Sequence, residues 1–233
     1  MNSFEFDGVS SRTFSTYISG SGTFNAPRRD VTKMKVPGRN GTLTIDNGRY
    51  DNIVVTYPAF IRSDFKRNSD ALKEFLLKDS AYHRLEDSYH PDLFRMGCCV
   101  GPMEFDMKPL NRAGEFSIQF DCKTQRWLKY GQRSVNVTQE TTKVNPTLYP
   151  ALPLIRVYGT SGTLYIGNTI VQLKTVDEYV DLDSETQNAY KGTVNCNPNI
   201  YAPEFPQLFA GKTGVNWEGE IDKVEITPRW WTI

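Results

Sequence analysis

No apolar run in this 233-residue sequence approaches the roughly eighteen residues a membrane-spanning helix needs, which excludes that class from the outset. Nor is there a basic segment leading into an apolar core at the start. Phe4, Phe6 and Val9 are interrupted by Glu5, Asp7 and Gly8, so no secretory leader is read there and the chain is expected to fold in a cytoplasm. Net charge is missing as well: Lys plus Arg and Asp plus Glu both number 27, a poor basis for a protein whose main task is to grip nucleic acid. Cysteine is sparse. Residues 98, 99, 122 and 196 show no C-x-x-C spacing, and adjacent Cys98 and Cys99 could close only as a strained bridge, so reduced and mostly buried thiols are expected rather than zinc ligands.

Histidine is scarcer still. His83 and His90 stand seven apart among carboxylates, with neither H-E-x-x-H nor a defined third ligand, and the segment from Tyr82 to Met96 is read as a capped loop entering a strand. Ser184 lacks a G-x-S-x-G elbow, and no cysteine sits in a nucleophile motif. The acidic group Asp181, Asp183 and Glu185 is read as a solvated strand edge, with a weak cation site as the alternative, since paired-carboxylate hydrolysis needs a separation that spacing cannot establish. No enzyme, metal or cofactor is expected.

What is present is enough apolar residue, at 39%, to build packed cores in one or two domains. The central stretch runs from Val36 to Val55. Thr42, Leu43, Thr44 and Ile45 alternate polar with apolar, Pro37, Gly38 and Asn40-Gly41 precede them as a turn, and Asn47-Gly48 follows as a second tight turn before a strand from Ile53 to Pro58 that Phe60-Ile61 extends. Phe4 to Phe14 reads as strand, turn, strand, able to pack on its own domain or to lend its edge to a neighbour. Ser19 to Gly22 reads as a flexible loop, and Arg28-Arg29 as a solvated turn. The one helix starts near Asn68 or Ser69, with Leu72, Phe75 and Leu76 as its apolar stripe. Met103–Leu110 and Glu115–Cys122 make a strand pair around Asn111-Arg112-Ala113-Gly114.

From Gln132 to Pro153 the prolines and the Thr/Val texture mark a domain boundary, placed at 135/136. Beyond it come short β runs, Leu154–Tyr158, Gly162–Ile166, Thr169–Leu173, Asp177–Asp183 and Lys223–Thr227, separated by Gly159 and Gly167-Asn168. That pattern predicts a β-sandwich or jelly roll. Such a sandwich carrying Trp217, Trp230 and Trp231 could be a carbohydrate-binding module, although tryptophan in sandwiches is more often core, and adjacent Trp230 and Trp231 in an extended segment face opposite ways.

Several of these stretches together resemble one family. V-P-G-R-N-G at 36–41 followed by G-R-Y-D-N-I at 48–53 is similar to a signature of the distal tail proteins of siphophages infecting Gram-positive bacteria. The opening F-x-F-x-G-x-x-S, the segment D-x-Y-x-P at 87–91 leading into Phe94-Arg95, and F-x-C-K-x-x-x-W at 120–127 resemble the same family, with Thr124 where members often carry proline. So do V-D-L-D-S-E-T at 180–186, the asparagines 195, 197 and 199, F-P-Q-L, and the closing P-R-W-W.

The resemblance implies a mainly β protein with one helix: an α+β N-terminal ring-forming domain over 1–135 and a C-terminal galectin-like β-sandwich over 136–233. It implies a non-enzymatic, cofactor-free hub of a phage or prophage tail tip, assembled in the host cytoplasm. Six copies would form a ring joining the tail tube protein to the tail-associated protein and to a receptor-binding or baseplate protein, with DNA passing through unbound. Val36, Arg39, Asn40, Arg49 and Tyr50 are the expected ring-contact or ring-shaping positions. The alternative is a lectin-like adhesion module using Trp217, Trp230 and Trp231.

Overall fold

Alternation of buried and exposed residues sets most of the first half of the chain, in a computed structural model that describes residues 1–20, 25–107 and 114–233. The chain divides into two units, Met1–Arg126 with Ile233, and Trp127–Thr232, against the expected boundary at 135/136. The first contains β1 Phe4–Phe6, β2 Val9–Ser10, β3 Thr16–Ile18, β4 Arg29–Lys35, β5 Thr42–Tyr50, β6 Ile53–Ile61, α1 Phe65–Leu76, β7 His83–Asp87, β8 Leu93–Cys98, β9 Phe105–Met107 and β10 Gly114–Cys122. Its main sheet is antiparallel in the order β2-β1-β7-β8-β10-β6-β3, with β9 added to β10.

At the centre of that sheet, β6 sends Ile53, Val55, Tyr57, Ala59 and Ile61 inward, and β10 answers with Phe116, Ile118, Phe120 and Cys122. Phe4 stacks on Tyr57 at 6.1 Å and meets Phe120 edge-on at 5.6 Å, so the N-terminal strand belongs to its own core and is not an edge held out to a neighbour. The strand also runs straight through Pro58. β3 ends at Ile18 opposite Ala59, and the Pro58 carbonyl accepts the Ser19 N–H at 2.8 Å, so the missing proline donor falls where there is no strand left to pair.

The helix begins at Phe65, earlier than the expected Asn68 or Ser69 cap. Asp64 occupies the cap in left-handed backbone without a side-chain bond, while the Ser69 hydroxyl donates to the Lys66 carbonyl inside the helix. The buried stripe is Phe65, Ser69, Leu72 and Leu76, one position every turn, and the Phe65 ring lies over Gly114, where a Cβ would come within 2.2 Å.

The expected capped loop lies between β7 and β8. Asp87 accepts the backbone N–H groups of Tyr89 and His90, each at 2.9 Å, and with its other oxygen the hydroxyl of buried Tyr57 at 2.6 Å. The two histidines serve different carboxylates: His83 lies between Asp7 and Asp79, and His90 beside Asp87. Thr124, at the proline position of the tail-protein pattern, is buried and donates its hydroxyl to the Asp51 carbonyl at 2.7 Å. The expected turn at 111–113, the end of the strand before it, and residues 21 and 22 of the Ser19–Gly22 loop lie outside the described residues.

At the division lies β11 Arg126–Leu128, and the second unit continues with β12 Val135–Val137, β13 Thr141–Asn145, β14 Leu154–Ile166, β15 Thr169–Leu173, β16 Tyr179–Asp183, β17 Asn188–Lys191, β18 Val194–Asn195, β19 Ile200–Tyr201, β20 Gly211–Thr227 and β21 Trp231–Thr232. Two of the expected short strands are one. Leu154–Tyr158 and Gly162–Ile166 form a single 13-residue strand that pairs along its length with the 17-residue β20. Gly159 does not end the strand. It shifts the register there, in a backbone region (φ +146°) that L side chains rarely adopt, and a Cβ on it would come within 2.1 Å of the Glu220 carbonyl oxygen.

The first half of β14 pairs with β16 and its second half with β15, and both halves feed one core that includes Ile155, Val157, Leu164 and Ile166. Gly167-Asn168 is the two-residue turn expected between β14 and β15. Of the acidic edge, however, only Glu185 is solvated. Asp181 and Asp183 are 3% and 7% exposed, held by Arg156 through two bonds of 2.7 and 2.8 Å and by Arg229 at 2.7 Å. Burial pushes the Asp183 carboxyl up, but the Arg229 hydrogen bond and charge outweigh it and leave the group below its ordinary value.

Candidate assembly interface

β4 and β5 form a two-stranded sheet of their own, joined to no other strand among the described residues. The expected turn at Asn47-Gly48 is instead an interruption inside β5: the strand runs from Thr42 to Tyr50, Gly48 takes φ +73°, and the register slips between Arg29 and Val31. Asp46 makes this possible by accepting the Gly48 N–H at 2.9 Å with one oxygen and bonding Arg29 with the other. The true turn is at 36–41, where the Arg39 N–H donates to the Val36 carbonyl at 3.2 Å and Gly38 supplies positive φ.

Pairing along this ribbon places Met34 opposite Leu43 and Thr32 opposite Ile45, so these four share one face; Lys33 and Lys35, opposite Thr44 and Thr42, share the other. One face is therefore apolar and the other basic. Met34 is 51% exposed, Leu43 44% and Ile45 43%, and Val36 at the tip is 39% exposed. Two-stranded ribbons are marginal in water without something packed on them. What holds this one is its polar base: Arg49 to Asp30 at 2.6 Å, Asn47 to Asp30 at 2.9 Å, and Arg29 to Asp46 at 2.5 Å. Asn47 and then Arg49 hold the Asp30 carboxyl below its usual range, and Asp30 in turn raises the Arg49 guanidinium.

The five expected interface residues are thus split. Val36, Arg39 and Asn40 lie at the tip, whereas Arg49 and Tyr50 lie at the base, where Arg49 pairs with Asp30 and Tyr50 meets Arg29 at 3.0 Å. At about 3.4 Å per residue, the nine residues of β5 put roughly 30 Å between the two groups. Sequence reasoning missed Met34, Leu43 and Ile45, although their signal was present: K-M-K and T-L-T-I alternate in opposite chain directions, and an antiparallel pair brings such alternations onto one face.

The tryptophans of the alternative reading are engaged elsewhere. Trp230 is 5% exposed in the core of the second unit. Trp217 donates its indole N–H to the Ile221 carbonyl, and Trp231 donates to the Pro150 carbonyl while stacking on Tyr149 at 4.5 Å.

These features define a mainly β chain of two units with one α-helix among the described residues, bearing a ribbon with an uncovered apolar face. No protein-family model and no curated protein matches the sequence. Among solved structures, the chain is similar over 100% of its length, and 100% of the other's, to the Dit protein (gp 19.1) of phage SPP1, described as a paradigm of the hub adsorption apparatus in phages infecting Gram-positive hosts, with a TM-score of 0.75 and 12% identity. It is also similar to chains of the phage P2 baseplate in its activated conformation, with Ca and with Sr. Each match has a TM-score of 0.51 and covers 97% of both chains, at 10% and 11% identity. At such identities the likeness is one of fold.

Proposed function

We propose that this protein is a structural component of a phage tail tip or baseplate, a hub whose work is assembly and not catalysis. The observation that carries this reading is the end-to-end likeness in fold to the SPP1 Dit protein, and the uncovered ribbon supports it independently. Six copies form a ring through the first unit, each ribbon laying its apolar face against the next copy, because a contact repeated in one direction closes when the rotation returns to the first subunit. The second unit, galectin-like in the family's pattern, carries a receptor-binding or baseplate protein, and the faces of the ring meet the tail tube and the tail-associated protein. Zero net charge suits a conduit through which DNA passes without being held. The site of action is the virion tail, with assembly in the host cytoplasm.

Light scattering of the purified protein across a concentration series, followed by negative-stain imaging, tests this. A hexamer, or a climb towards one, with ring-shaped particles is expected. A strict monomer at high concentration that also forms no ring with its tail tube and tail-associated proteins overturns it.

A further inference from the structure

The ribbon carries a charge that the rest of the chain does not. Residues 28–50 hold six of the 27 basic side chains, Arg28, Arg29, Lys33, Lys35, Arg39 and Arg49, but only two of the 27 acidic ones, Asp30 and Asp46, so this segment is net +4 and the remainder net −4. Both carboxylates are engaged at the base, Asp46 with Arg29 and Asp30 with Arg49. Lys33, Lys35 and Arg39 are exposed and have no carboxylate partner among the described residues, and the residues beyond the described ones include no Asp or Glu.

Register sets these cations in a row. Lys33 lies opposite Thr44 and Lys35 opposite Thr42, so two ammonium–hydroxyl pairs stand on one face, about 7 Å apart along the strand, with Arg39 beyond them at the tip. The carboxylate on that face, Asp46 opposite Val31, is held by Arg29 and by the Gly48 N–H. Every other polar group in the row can donate: ammonium, guanidinium and hydroxyl, the set that contacts phosphate oxygens. Apart from Val31 at the base, the face offers no apolar or aromatic side chain, whereas protein interfaces are built on such anchors and are poor in lysine. A row of cations along an extended strand matches charges repeated along a polymer, which in duplex DNA recur about every 3.4 Å of rise on each strand.

We propose that this basic face of the ribbon contacts the phosphate backbone of duplex DNA, leaving the opposite, apolar face to the neighbouring copy. The proposal rests on the tail-hub reading for the duplex that it meets. Phosphate contacts carry no sequence information and let a duplex slide, so the row guides passing DNA without holding it at one place.

The test is fluorescence anisotropy of a labelled random-sequence duplex with the full chain, as salt is varied. Binding is expected at about 50 mM salt and, with three phosphates neutralised per chain, falls about fortyfold by about 200 mM through counterion release. Lys33→Gln with Lys35→Gln leaves one contact, so affinity drops and the same rise in salt lowers it only about 3.5-fold. Thermal stability is unchanged, because both side chains are exposed. Lys212→Gln, at an exposed position of the second unit, binds as the parent does. Light scattering of the same samples keeps this apart from the hub reading: a monomer that binds DNA through the two lysines removes the ring and leaves the contact, and a ring whose DNA binding ignores them does the reverse. The proposal is overturned if no binding occurs at about 50 mM salt, if the double variant keeps the parent's salt dependence, or if Lys212→Gln weakens binding equally. Tighter binding of poly-glutamate than of DNA also overturns it, by marking an acidic protein as the occupant.

Discussion

Replacing Leu43 and Ile45 together by aspartate puts two charges on the apolar face of the ribbon. In the isolated chain these side chains are 44% and 43% exposed, so covering them withdraws from water roughly the area of one whole aliphatic side chain. Full burial of such a side chain contributes about 1.5–3 kcal/mol. The double substitution forfeits that and adds at least about 1–3 kcal/mol for desolvating carboxylates that find no partner on an apolar surface. The sum is about 3 kcal/mol or more per contact, a hundredfold or larger rise in the dissociation constant between copies. The folded monomer should hardly notice, because neither residue belongs to a core and exposed substitutions usually stay within about 0.5 kcal/mol each. Sedimentation velocity of parent and variant over the same concentration series reads the first effect, and thermal unfolding reads the second. Assembly of the variant at the parent's concentration would refute the reasoning. So would a fall in melting temperature of the size seen for core truncations, since the two side chains would then be structural.

Three further expectations follow from the same geometry. Gly159→Ala drives a Cβ into the Glu220 carbonyl at a backbone angle that alanine rarely takes, so it should lower unfolding free energy by about 3 kcal/mol in a denaturant titration; a loss under about 1 kcal/mol means the two long strands can part there freely. With a thiol reagent in native buffer, half-buried Cys196 should react first, while burial raises the thiols of Cys98 and Cys99 and pushes Cys122 up to about 12; equal rates at all four would contradict the buried core. Arg29 first, and the Gly48 N–H second, hold the Asp46 carboxyl below its ordinary 3.8, so its contribution to the ribbon is complete above that value and is lost as pH falls through the lowered one. The Gly48 amide shift should therefore titrate with a midpoint below 3.8, and a midpoint above 4 would show that Arg29 is not engaged in solution.

How much of this was legible beforehand differs by element. The stripe Leu72 and Leu76, the alternation from Ile53 to Ile61 and the turn at Gly167-Asn168 are set by local periodicity and turn chemistry, and each lies where the residues placed it. The helix start was misread because no side chain caps it. The signal that stops the chain at Asp64 is a left-handed backbone stabilised by the packing of Phe65 on Gly114, which pairs residues far apart in sequence. Gly48 and Gly159 were read as breaks because glycine looks the same in a turn and in a bulge, and only the partner strand decides between them.

By itself the sequence determined the class: mainly β, one helix, reduced thiols, and a chain order of motifs similar to one tail-protein family. Tertiary structure decided what is buried and what is left open. Asp181 and Asp183 read as a wet edge until Arg156 and Arg229, remote in the chain, arrive to pair with them. Met34, Leu43 and Ile45 read as ordinary strand residues until, among the described residues, the ribbon pairs with nothing but itself, and Ser184 reads as unremarkable until the fold buries its hydroxyl with no partner among those residues. Periodicity is a property of neighbours along the chain, whereas exposure and pairing depend on residues that only folding brings together.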